Sequence, residues 1–352
     1  MGLWRQALYP LLGLFLTGCQ SAGYLAHLGK GQWQMLQQRQ PVQALIANPD
    51  TPQALVRKLE SLQQIRSFAS TLSLPASGQF DTYVDIHRPY ALWSVQATPE
   101  LSLQARSWCY WFIGCLSYRN YFDEARAEAF ARQLQQQGDD THVGRVAAYS
   151  TLGWFRDSLL SSQLSRREAD LAELVFHELA HQVVYAKDDP VFNESFAEVV
   201  AAEALRRYLV GRPDDLAAVL QRLDRQHRFA ELVRKYRSDL QQLYQSSGSV
   251  EEKRAEKKRI LAAFQTAYRQ LKASAWPDYA GYDAWIDGVN NARLNSVAVY
   301  HDLTPALNAV LASVDADLHA FYGKCRELAR LTRTERYRVL GYTRSQVELI
   351  HD

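Results

Sequence analysis

Neither sign of charge prevails in this 352-residue chain: Lys+Arg 40 against Asp+Glu 38 leaves a formal +2, so composition offers nothing that would select a nucleic acid as partner. Long apolar runs are missing beyond the first twenty residues. No later segment can therefore span a bilayer, which takes about 20 apolar residues. Cysteine is scarce, 4 in all, and the absence of any C-x-x-C pair argues against a cysteine-cluster zinc site. There is no internal repeat and no low-complexity segment. An apolar share of 47% is enough for a real core, in one large domain or two modest ones.

The N-terminus is the exception. Met1 to Arg5 carries one positive charge, Ala7 to Leu16 is a short apolar stretch, and Leu16-Thr17-Gly18-Cys19 follows. That order describes an export signal, not a spanning helix. Leu-Thr-Gly-Cys resembles the lipobox of bacterial lipoproteins. The resemblance implies that residues 1–18 are a signal peptide, that Cys19 is acylated, and that the mature chain, 19–352, is tethered to a membrane. Gln20 resembles the pattern of lipoproteins sent to the outer membrane, which points to its periplasmic face. Of the other cysteines, Cys109 and Cys115 can pair across a tight bend in an oxidising compartment; three free thiols, Cys325 included, is the alternative.

Hydrophobic periodicity organises the rest. A short helix is expected around Trp33 and Leu36. Thr51-Pro52 opens another, with Thr51 as cap, and Leu55, Val56, Leu59, Leu62, Ile65 and Phe68 recur at helical spacing. From Tyr83 the period changes. Tyr83 to Ile86, Ala91 to Ala97, Trp108 to Ile113, Tyr118 to Phe122 and Val143 to Ser150 read as strands, with a helix from Asp123 to Gly138. The second half is nearly all helix. Leu171 to Tyr185 and Glu194 to Leu209 flank Lys187-Asp188-Asp189-Pro190. Two apolar stripes, broken at Ser246-Ser247-Gly248-Ser249, form a helical hairpin over about 212–275.

The chemistry is concentrated in His177-Glu178-Leu179-Ala180-His181. Positions i and i+4 share a helix face, so both imidazoles can reach one Zn2+, with Glu178 beside it as a base for a bound water. Chance alone gives H-E-x-x-H in roughly one such chain in a hundred. The apolar flanks Leu171, Leu174, Val175, Phe176, Val183 and Val184 bury this helix, and buried imidazoles and carboxylates need partners. A third ligand should follow in Asn193-Glu194-Ser195-Phe196-Ala197-Glu198, again with two acids at i and i+4. In the favoured reading Glu194 binds the metal and Glu198 orients a ligating histidine through its far nitrogen. The reverse, Glu198 as ligand and Glu194 capping the helix start, stays open, and Glu203 is a weaker candidate.

The pair H-E-L-A-H and N-E-S-F-A-E resembles the gluzincin metallopeptidases, whose third ligand is the glutamate of an N-E-x-x-x-acid helix. This chain departs from the large zinc aminopeptidases in its short gap between ligand helices and in lacking a G-A-M-E-N motif. A wider resemblance is to a bacterial family of predicted aminopeptidases, often lipoproteins. It is carried by Gly114 to Phe122, Ala148 to Phe155, His177 to Gln182, Phe192 to Ala197 and Asn290-Asn291-Ala292. It implies peptide hydrolysis, zinc held by His177, His181 and Glu194, and Glu178 as general base. The expected fold is α+β and predominantly helical, zincin-like, with a small antiparallel sheet, two ligand helices beneath it and the long hairpin.

Secondary roles stay divided. Tyr300 or Tyr149 can donate to the oxyanion beside the metal, or simply pack. Val143 to Ser150 can pair with substrate or be an ordinary strand. Asn290 and Asn291 can hold a peptide or serve as a cap, and Asp157 or Glu173 can grip a free amine. Two other functions fit the same residues: an endopeptidase with this zinc site, or a non-catalytic envelope scaffold with a vestigial one.

Overall fold

A computed structural model describes residues 8–110, 114–147, 157–164, 166–187, 189–301 and 303–342, with the side chains of 8–22, 114 and 298–301 outside the description. Helix α1 (Leu8–Gln37) runs much further than the short helix expected around Trp33. After β1 (Gln40–Pro41) comes α2 (Gln53–Thr71). Its start lies where expected, but Thr51 does not cap it: Thr51 is buried, and the carbonyl of Pro52 closes the first turn by accepting from Leu55 and Val56.

Strands β2 (Thr82–Val84), β3 (Leu92–Pro99), β4 (Trp108–Tyr110), β5 (Gly114–Leu116) and β6 (Arg119–Tyr121) precede α3 (Glu124–Gln136), β7 (Asp139–Val146) and β8 (Leu159–Leu160). They form three small sheets. One, ordered β6-β3-β7, is antiparallel throughout, with Trp93 opposite Tyr121 and Val95 opposite Val143. Strand β7 starts four residues before the expected Val143 because Gly138, at φ +89°, ends α3 and turns the chain straight into the sheet. The expectation of an antiparallel sheet fails in β1-β2-β8, where Tyr83 pairs in parallel with Leu159. Parallel strands need a long crossover and leave no hairpin signature. In the third sheet Cys109 and Cys115 stand opposite each other on β4 and β5 and form a disulfide; Cys325 is a buried free thiol.

The edge of β6 is covered by α1. Tyr24 Oη accepts from the Asn120 N–H at 3.1 Å, and His27 Nε2 accepts from the Phe122 N–H at 3.1 Å. Gly31 permits this approach, since a Cβ there would stand 2.1 Å from the Phe122 ring. Among the described residues no helix is long and apolar enough to cross a membrane.

The helices that follow are α4 (Glu168–Ala180), α5 (Pro190–Tyr208), α6 (Pro213–Gln245), α7 (Val250–Ala275), α8 (Asn291–His301), α9 (Thr304–Ala312), α10 (Leu318–Arg330) and α11 (Arg333–Val339). The apolar flanks of the first two are buried: Val175, Phe176 and Leu179 of α4 share one core with Phe192 and Phe196 of α5, Ile65 of α2 and Phe321 of α10. The hairpin α6–α7 turns at 246–249, where Ser249 and Glu252 form a capping box. Its inner face packs Phe229, Val233, Tyr236 and Phe264 against Leu103, Ile286 and Leu294. Lys257 ties it to the first sheet by donating to Asp140 at 2.7 Å and to the Glu100 carbonyl at 2.8 Å.

Asn290 and Asn291 belong to this scaffold. The buried Asn291 side chain donates to the carbonyls of Pro99, Glu100 and Ser102 and accepts from Tyr244 Oη, while Asn290 donates to the Thr141 carbonyl and caps α8 at Arg293. They hold the protein's own backbone between sheet and hairpin.

One buried charge fixes the position of α5. Asp189, fully buried, accepts from the Phe192 N–H at 3.1 Å as the N-cap, and from Tyr337 Oη at 3.0 Å. It also pairs with the buried guanidinium of Arg336, whose remaining donors go to the carbonyls of Leu328, Ala329 and Leu331. Removing one partner of a buried pair strands the other. Asp189→Ala is therefore expected to lower unfolding stability by about 3–5 kcal/mol, measured by denaturant titration; a loss below about 1 kcal/mol would show that the pair is dispensable.

Candidate metal centre

Helix α4 begins with Glu168 and Asp170, acids that suit the positive end of a helix, and ends just past His177. His181 is its C-cap residue, so the two histidines straddle the last turn with rings 4.8 Å apart. The gap to the next ligand helix is short and pinned. Asn193 turns its side chain back onto Ala186, accepting from its N–H at 2.7 Å and donating to its carbonyl at 2.9 Å. With Asp189 as cap and Pro190 in the first turn, Glu194 falls in the second turn of α5, which removes the reading of Glu194 as a cap.

These constraints bring three donors together. His177 Nε2 and His181 Nε2 are 3.1 Å apart, Glu194 Oε2 is 3.3 Å from His177 Nε2, and Glu194 Oε1 is 3.7 Å from His181 Nε2. Ligands set tetrahedrally at about 2.0–2.1 Å from a zinc ion stand about 3.3–3.4 Å from one another, so the spacing suits a small divalent ion with a fourth position left over. Among the described residues no other group of three His, Cys, Asp or Glu side chains converges in this way.

Two further acids of α5 make contacts of their own. Glu203 is held by Arg206 and Arg207 at 2.7–2.9 Å. Glu198 accepts from Thr304 Oγ1 at 2.8 Å, at the start of α9, and its charge adds to the negative field on His177. Between Glu194 and Glu198, Ser195 Oγ accepts from the Leu303 N–H, and Phe196 stacks on Phe321 with centroids 5.7 Å apart. Each side chain from Asn193 to Glu198 other than Ala197 thus has an assigned contact, and Ala197 is buried in the core.

The proton affinities of these groups diverge. Burial opposes charge on His177, but the Glu194 hydrogen bond and the charges of Glu178, Glu194 and Glu198 outweigh it and raise its pKa. Burial and the neighbouring His177 charge push His181 down to about 4. Burial opposes ionisation of Glu194 too, yet the two imidazoles carry its pKa below the usual carboxylate range. Glu178 goes the other way: burial lifts it to about 7, with His177 opposing and Asp157 and Glu194 adding to the rise.

Of the remaining expected site residues, Asp157 is within electrostatic reach of Glu178, whereas Glu173 is paired with Arg222 at 2.7 Å. Tyr149 lies outside the described residues. Tyr300 falls on α8, and its side chain lies outside them. Strand β7 stands at a sheet edge, although the part of the expected strand beyond residue 147 is not described. Tyr118 was not singled out by sequence reasoning. Burial raises its pKa, with the negative charge of Glu194 next and Tyr185 after it, so its phenol lies in the field of the centre. Its only signal was a place in the Gly114 to Phe122 segment.

A cation can bind only to neutral imidazoles, so a proton on His177, whose pKa is raised, competes with it for this centre. Zinc affinity is expected to rise about tenfold per pH unit below the raised His177 value and to level off above it. Calorimetry in two buffers of different ionisation enthalpy measures the released proton. Binding independent of pH between 5 and 7 would contradict the arrangement.

A family model described as Putative aminopeptidase matches residues 23–340, which takes in every element from the docked part of α1 through α11. No curated protein and no solved structure matches the chain.

Proposed function

Since the chain belongs to the family described as putative aminopeptidases, we propose that it is a zinc-dependent peptidase that removes residues from the amino end of peptides. The observation that carries the reading is the convergence of His177, His181 and Glu194 on one point, next in sequence to Glu178. Two imidazoles and a carboxylate, with one tetrahedral position to spare, are a donor set suited to catalytic zinc. When bound, zinc supplies Lewis-acid polarisation of the scissile carbonyl and acidifies a water.

The protein's own groups do the rest. Glu178 takes a proton at a carboxylate oxygen and returns it to the leaving amine nitrogen. The burial and negative charges that lift it to about 7 hold the proton long enough to be delivered, while a cation beside it draws the value down and keeps a carboxylate available at neutral pH. Asp157, the acid that acts on Glu178 from β8's approach, is the candidate for the substrate ammonium. Tyr118 joins Tyr149 and Tyr300 as a donor to the oxyanion. At the N-terminus, removal of residues 1–18 and acylation of Cys19 would hold the enzyme at the periplasmic face of the outer membrane. The part of α1 that covers β6 would be retained.

Glu178→Gln is expected to bind zinc as the parent does and to lose peptide hydrolysis by about 10²–10⁴-fold, as a lost general base does. Parental turnover in that variant, or in chelator-treated protein, would refute the assignment. Asp157→Asn should raise KM for free-amine peptides without improving cleavage of N-acetylated ones. Equal cleavage of both by the parent would instead mark an endopeptidase.

A further inference from the structure

A cavity lies where α1 meets the start of α3. It has a volume of about 450 Å³, within the roughly 300–1,000 Å³ typical of small-ligand sites. Its lining carries three cations, Lys30 on α1, Arg126 on α3 and Arg88 from the turn before β3, together with the His27 imidazole on α1 and the single carboxylate of Asp123.

Each of these groups is available to an anion. Arg88 is anchored by Nε to the Tyr90 carbonyl at 3.0 Å and by Nη2 to the Ala91 carbonyl at 2.9 Å, which leaves Nη1 without a partner among the described residues. Lys30 and Arg126 have no ion-pair partner there either, and Asp123 is occupied in part as the cap of α3, accepting from the Arg126 N–H at 2.8 Å. His27 accepts at Nε2 from Phe122, which assigns its proton to Nδ1 and makes that nitrogen a donor. Burial and the charges of Arg126 and Lys30 hold its pKa below the ordinary value, so the cavity's charge comes from the three long cations.

The surroundings say what kind of anion. Trp33 is 61% exposed and lies about 60° around α1 from Lys30, on the rim of the same face. An exposed Trp beside a basic pocket is a membrane-interface pattern. Cys19 precedes Lys30 by eleven residues on the same helix, about 16 Å along the axis. We propose that this cavity binds the phosphate of an anionic phospholipid headgroup in the leaflet to which the chain is tethered. Lys30, Arg126 and Arg88 Nη1 contact the phosphate oxygens, and Trp33 sits at the interface. The location rests on the lipid attachment at Cys19 proposed above; the pocket's chemistry does not.

The test uses the full chain in neutral detergent, titrated calorimetrically with monomeric short-chain phosphatidylglycerol, short-chain phosphatidylcholine and inorganic phosphate. Phosphatidylglycerol should bind at least tenfold more tightly than the other two. Lys30→Glu with Arg126→Glu should weaken it by tenfold or more, and Gln34→Glu, which adds one negative charge to the lining without removing a cation, by a smaller factor. Peptide hydrolysis and the unfolding midpoint report that the variants remain folded, and neither readout depends on the anchor. Equal binding of phosphatidylglycerol by parent and double variant overturns the proposal, as does no binding by the parent. Inorganic phosphate binding as tightly as the lipid makes this a free-phosphate site and overturns the headgroup assignment.

Discussion

The register of α5 depends on a carboxylate that never meets solvent. Asp189 terminates the loop after the H-E-L-A-H helix, caps α5 through the Phe192 N–H, and is neutralised by Arg336 of α11, with Tyr337 Oη donating a further hydrogen bond. A helix start displaced by one residue would rotate Glu194 by about 100° around the axis and take it off the histidine pair. The Asn193 clamp on Ala186 is the companion constraint, since it fixes the loop that the cap leaves behind. Together they explain how so short a connection brings Glu194 onto the histidine pair with so definite an aim. Loop freedom is removed at both ends by bonds made inside the core, where breaking them is costly.

The same economy governs charge. Two imidazoles at 3.1 Å cannot both be protonated, and the carboxylate beside them raises the pKa of His177 while that of His181 falls. Glu178 inherits the consequences, raised by burial and by two acidic neighbours into the range where a group both accepts and gives up a proton. A divalent ion satisfies all three donors at once. The centre is thus poised electrostatically for an ion, with Glu198 and its Thr304 contact adding negative potential from behind.

What could be read from the residues divides by range. Interactions within one or two turns left periodic traces: the i and i+4 histidines, the hairpin break at Ser246 to Ser249, and the helix capped by Asp123 lie where spacing indicated, whereas the first ligand-bearing helix ends at Ala180 rather than Tyr185 and the next starts at Pro190 rather than Glu194. Interactions between distant segments left none. Asp189 and Arg336 are 147 positions apart, and neither stands out among the many charged residues. The parallel pairing of Tyr83 with Leu159 lacks any turn to announce it. Tyr118 is one of 19 tyrosines, and only its place in the folded chain brings it into the field of Glu194. The Asn290-Asn291 pair was visible as a motif, but whether its amides face a ligand or the scaffold is a question of where Pro99, Glu100 and Ser102 lie.

The contact between Asp189 and α11 also bears on timing. A chain emerging from a ribosome exposes His177, His181 and Glu194 well before Arg336 and Tyr337 follow. Until those last residues dock, the cap of α5 faces an uncompensated cost of burial, and the three donors have no enforced alignment. The alignment of these three side chains is therefore completed late, by a segment about 140 residues downstream of Glu194.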